Sequence, residues 1–120
     1  MAHENLKHRT QKFALDVIRL SCKLPKSREF WVIGDQLVRC GTSVGSNYRS
    51  SCRAKSRADF VAKMSIVEEE ADESMYWMEL IQLLEVPIGD ELARLHKEAG
   101  QLVAISVASK KTARQRMSKP

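Results

Sequence analysis

The sequence predicts an all-α protein, an antiparallel up-down-up-down four-helix bundle, on three observations. Apolar residues recur at alternating steps of three and four along four segments, the period of a helix buried on one side. The breaks between segments are only a few residues long, which favours antiparallel neighbours. Nowhere do apolar and polar residues alternate with the period of two that a half-buried strand needs. At 120 residues the chain has the length of one domain, with 43% hydrophobic residues for a core and 29% charged residues for a solvated exterior. We divide it into the bundle, residues 1–109, and a basic tail, 110–120, expected to be disordered.

The first helix, about 6–24, carries Phe13, Val17, Leu20 and Leu24 on one stripe, with Thr10 one step earlier. Pro25 stops it, since a proline further in would remove a hydrogen bond and clash with the preceding turn. Ser27 is then a candidate N-cap for a second helix over about 28–54. Phe30, Ile33, Leu37, Val44 and Tyr48 make its apolar arc, and Gly34, Gly41, Gly45 and Cys52 line the flank. Each mid-helix glycine costs ~1 kcal/mol relative to alanine, so close approach of another helix is the expected compensation. Their alignment on one side favours a continuous helix over a turn at "GTSVG".

Ser56, with Asp59 three residues on, forms a variant capping box that opens a third helix over about 57–85. Its seam is Phe60, Met64, Val67, Ala71, Met78 and Ile81, with Trp77 and Leu84 at one edge. "EVPIGDE" breaks it, and Ile88, Leu92, Leu95, Ala99, Leu102 and Ser106 resume the spacing in a fourth helix, about 88–108, that frays after Ala108.

Gly41-Thr42-Ser43-Val44-Gly45 spells G-x-S-x-G, the pattern of a hydrolase nucleophile elbow. That elbow needs a strand before it and a helix after it, with an acid and a histidine further along. Here a helical pattern flanks it on both sides, only His96 follows, and the chain is too short for the hydrolase sheet. We therefore expect no catalytic residue. None of His3, His8 and His96 has a glutamate three residues before it, so the di-iron pattern of four-helix bundles is absent and no metal or cofactor is expected. Cys22, Cys40 and Cys52, with an N-terminus lacking an apolar signal core, suit a reduced, cytoplasmic protein, and no apolar run approaches the ~18 residues of a membrane span.

Charge is the more informative signal. The net charge of +5 is unevenly distributed. Five basic residues lie between Arg49 and Lys63 against Asp59 alone, seven acids lie between Glu68 and Glu85 without a base, and five bases follow from Lys110 without an acid. Arg49, Arg53 and Arg57 recur every fourth residue, Arg39 projects into the same angular range, and together they suggest a guanidinium ridge suited to forked phosphate contacts. With Lys55 and the tail residues Lys110, Lys111, Arg114 and Arg116, they are the candidate nucleic-acid-binding residues. The plainer alternative is an ordinary charged helix surface, with Asp35 one turn before Arg39 as its partner. A structural network of Arg39, Asn47, Glu70 and Trp77 is expected between the second and third helices, with Arg39 and Glu70 as its ion pair.

The run "QLVRCGTSVGSNYRSSCRAKSRADFVAKMSIVEEEADESMYWMELI" resembles the bacterial four-helix-bundle family named for proteins encoded in intervening sequences of 23S ribosomal RNA genes. That family includes the accessory variability proteins of diversity-generating retroelements. The resemblance rests on Gln36, Leu37 and Arg39; on Ser43, Asn47 and Tyr48; on Ser56, Asp59 and Phe60; and on Glu70, Ala71, Glu73, Ser74, Tyr76 and Trp77. Many relatives have a Glu after the Asn-Tyr pair where this chain has Ser50 or Ser51, and a Lys where it has Glu69. The resemblance implies a homopentameric bundle without catalytic activity and with a basic surface proposed to bind RNA or DNA. The expected function is thus a non-enzymatic, oligomeric, nucleic-acid-binding bundle. The alternative is a protein interaction adaptor, such as the accessory subunit of a reverse transcriptase.

Overall fold

The computed structural model describes residues 2–117, and these form four helices: α1 (Ala2–Ser21), α2 (Arg28–Ser51), α3 (Arg57–Leu83) and α4 (Glu91–Met117). Residues 118–120, the end of the expected tail, lie outside the described part. All four predicted helices are present, with shifted ends. α1 stops at Ser21 because the chain tightens there, Lys23 and Leu24 donating their N–H groups to the carbonyls of Leu20 and Ser21 three residues back. Ser27 takes the N-cap position of α2 in an extended conformation, yet its hydroxyl makes no cap bond. Ser56 does cap α3, accepting from Asp59 N at 3.0 Å, while Asp59 Oδ2 accepts from Lys55 N at 3.0 Å. α3 ends where Glu85 enters the left-handed region at φ 56°, and Gly89 follows at φ 72°.

The clearest departure from expectation is α4. It does not fray after Ala108 but runs to Met117, so most of the expected tail is helix. Ala113 is buried there, extending the seam of Leu95, Ala99, Leu102 and Ser106.

Contacts fix the helix directions. Leu24, just past the end of α1, and Val17 and Thr10 within it lie in turn against Gly34, Gly41 and Gly45 of α2, so the two helices run oppositely. His96 of α4 pairs with Glu79 of α3, and Lys110 with Glu68. Arg9 reaches Glu98 across α1 and α4, and Arg94 reaches Asp16. The bundle is therefore antiparallel, and it extends 56 × 23 × 22 Å.

Phe13, Val17 and Leu20 meet Leu37, Val44, Met64, Met78, Ile81, Leu95 and Leu102 in one continuous core. The glycine flank of α2 faces α1. A Cβ on Gly41 would sit 2.8 Å from Val17 Cγ1, and one on Gly45 would sit 3.3 Å from the Thr10 carbonyl oxygen. Cys52 and Leu84, placed by periodicity beside the core, are exposed because α2 and α3 end before reaching them. Ser74, outside the predicted seam, is fully buried and donates to Cys40 Sγ at 3.3 Å and to the Glu70 carbonyl at 2.8 Å. The Cys40 thiol is pushed above its usual pKa, chiefly by burial.

Candidate nucleic-acid interface

The predicted basic residues gather at one end of the bundle, where α2 ends, α3 begins and α4 ends. Each arrives there for a local reason. Arg49 is on the last turn of α2, Arg53 and Lys55 occupy the connection that the Ser56 cap closes, and Arg57 is the first residue of α3. The continuation of α4 carries Lys111, Arg114 and Arg116 toward the same end, Arg116 beside Lys55 and Arg57, and Lys111 and Arg114 around a neighbouring depression that Glu68 also lines. Arg57 Nη1 donates to the Arg116 carbonyl at 3.0 Å, tying the end of α4 to the start of α3.

This arrangement corrects the predicted ridge. The helical path breaks after Ser51, so Arg49, Arg53 and Arg57 do not form one stripe along a continuous helix. They ring an end of the molecule instead. Arg49, Arg53, Lys55, Arg57, Lys111, Arg114 and Arg116 are all exposed, and among the described residues none has a carboxylate within ion-pair distance. Such cations keep their charge available to a polyanion.

Lys110 is different. Its side chain is only 13% exposed, and its Nζ lies 2.7 Å from Glu68 and 3.1 Å from Ser65 Oγ, so it joins α4 to α3 rather than facing solvent. Arg39 also leaves the set, lying well along α2 and pairing across to α3.

The expected network around Arg39 is present in altered form. The Arg39 guanidinium reaches Glu70 at 3.5 Å, as predicted, but its shorter contact is with Glu73, which periodicity did not single out. Glu73 also accepts from Trp77 Nε1 at 3.0 Å, and that indole stands edge-on to Tyr76 with centroids 5.1 Å apart. The bond from Trp77 lowers the Glu73 carboxyl pKa; burial opposes this, and Arg39 adds to the lowering. Gln36 completes the cluster by accepting from Arg39 at 3.2 Å. The 3.6-residue pitch was the missed signal, since Glu73 and Trp77 stand one turn apart on the face toward α2. Asn47 is outside this network: its Nδ2 donates back to the Ser43 carbonyl at 2.9 Å. Asp35 is not the partner of Arg39, because the carboxylates of α3 are.

Ser43 lies mid-α2, with neither strand nor turn beside it. His96, the histidine that follows it in the chain, pairs with Glu79 at 2.7 Å. No helix among the described residues is long and apolar enough to cross a membrane.

Comparison with known proteins gives the same picture of the fold. The family model described as 23S rRNA-intervening sequence protein matches residues 5–108. A crystal structure of a protein of unknown function from the S23 ribosomal protein family of Bacteroides thetaiotaomicron VPI-5482 is similar, with a TM-score of 0.81 and 29% identity, covering 88% of this chain and 98% of that one. No curated protein matches the chain.

Proposed function

The chain belongs to the 23S rRNA-intervening sequence protein family, and from that premise we propose that it is a non-enzymatic, oligomeric bundle that binds RNA or DNA through its basic end. The observation that carries this reading is the convergence of seven exposed cations, none of them with a carboxylate partner among the described residues, from three separate chain segments onto one end. Cations held this way lose little on meeting phosphate, because no internal ion pair has to break. The oligomer is the homopentamer that the family resemblance implies, and exposed apolar side chains at the other end of the bundle favour self-association. The free thiols of Cys22, Cys40 and Cys52 suit a cytoplasmic setting.

The test is the salt dependence of binding. Affinity for RNA or DNA falls linearly on a log–log salt plot, and the double reversal Arg53→Glu, Arg57→Glu flattens the slope by about two or more. Lys110→Gln is the internal control, leaving the slope almost unchanged because Lys110 is committed to Glu68. A slope indifferent to the double reversal would overturn the reading.

A second reading has one observation in its favour. Trp31, Val32, Leu83 and Leu84 are more than half exposed where α2 starts and α3 ends. That apolar surface suits an adaptor that docks a protein such as a reverse transcriptase. Capture of such a partner after nuclease treatment, by a chain that retains no nucleic acid, would favour it.

A further inference from the structure

Between the α2–α3 connection and the last turns of α4 lies a hollow of about 690 Å³, within the ~300–1,000 Å³ typical of small-molecule sites. Its lining includes the small side chains of Ala54, Ala108 and Ala113 and the Phe60 ring, itself packed on the core. Lys55, Arg57 and Arg116 also line it, and the hydrogen bond from Arg57 to the Arg116 carbonyl ties the start of α3 to the end of α4 beside it. Ser109 and Thr112 add hydroxyls.

Resting on the nucleic-acid reading above, we infer that this hollow receives an unpaired base, so that the nucleic acid bound is single-stranded. The shape decides this. A duplex is read by something that projects, a helix or ribbon entering a major groove ~12 Å wide. Here three cations, Lys55, Arg57 and Arg116, border a recess that a base-paired rod is too wide to enter. An unpaired nucleotide can turn its flat apolar face to Phe60 and the alanines while its flanking phosphates meet Lys55, Arg57 and Arg116. That pairing of an apolar platform with cationic edges is how single strands are held without sequence preference.

The experiment compares a single-stranded RNA, the DNA strand of the same sequence and the corresponding duplexes at one salt concentration. It uses the full chain and the double variant Ala108→Leu, Thr112→Leu. Both positions are exposed on α4, so the variant fills the hollow without altering charge or core, and its thermal midpoint checks the fold. The parent chain binds single strands about tenfold or more tighter than duplex, and filling the hollow removes that preference while leaving duplex binding unchanged. Equal binding of single strand and duplex by the parent, or a preference that survives the filling, would overturn this inference and leave the nucleic-acid reading standing. Failure to bind either form would overturn both. RNA and DNA strands bound alike identify the base and phosphate as the recognised parts, and a preference for one of them adds the sugar.

Discussion

At the scale of single residues, Gly41 shows why the G-x-S-x-G stretch has its composition. A β-carbon there would press on both methyls of Val17, a fully buried, β-branched side chain with one preferred rotamer in a helix. Gly41→Ala gains ~1 kcal/mol of helix propensity but incurs an overpacking cost of about 1–3 kcal/mol, and we expect a net loss of stability in urea unfolding. In a Val17→Ala background the penalty shrinks, because both methyls are gone and only the β-carbon, 3.2 Å away, remains to be accommodated. A stabilised Gly41→Ala chain in the parent background would refute the packing account. The aligned glycines were legible in the sequence as a site of close approach. That α1 is the element approaching was not, since periodicity says which face is buried and not what covers it. Asn47 shows the same limit, being expected in the network of Arg39 while its amide bonds its own helix.

At the scale of elements, the seam between α1 and α4 depends on charges that sequence reading passed over. Asp16 stands next to the core residue Val17 on α1, and its side chain is only 8% exposed. Burial raises its carboxyl pKa, but hydrogen bonds from Lys12 and Arg94 outweigh that and leave it below the usual 3.8. A carboxyl that binds its proton less tightly in the folded chain than in the unfolded one stabilises the fold when ionised. That contribution is present above about pH 4 and is lost as the pH falls through the depressed folded value. Asp16→Asn should therefore cost about 1–2 kcal/mol near neutral pH, and parent and variant should converge in strongly acid solution. Denaturant unfolding across that range measures it, and a penalty that does not shrink with acid would show that packing, not charge, is at work. Arg9 adds a two-bonded contact to Glu98 on the same seam, at 2.7 and 3.0 Å. α4 itself was misread for a related reason. Ser106, Ser109 and Ala113 continue the spacing of Leu102, but with side chains too small to register as an apolar stripe among five basic residues.

At the scale of the whole molecule, the bundle is polarised along its 56 Å length, with cations at one end and exposed Trp31, Val32, Leu83 and Leu84 at the other. If the apolar end joins subunits, Trp31→Asp with Leu83→Asp yields a 13.6 kDa monomer in sedimentation, while reversing Arg53 and Arg57 leaves the oligomer intact. A parent chain that sediments as a monomer would remove the oligomer from the proposal. The sequence by itself determined four helices, most of their buried faces and the Ser56 cap, because helical period, capping chemistry and breakers act over a few residues. Only the tertiary structure decided that α4 runs on to meet the start of α3, that Lys110 is spent on Glu68, that Glu73 takes Arg39, and that Lys55, Arg57 and Arg116 line one hollow. Those outcomes depend on which distant segments share an end of the bundle, and that is set by packing between helices rather than by the pattern along any one of them.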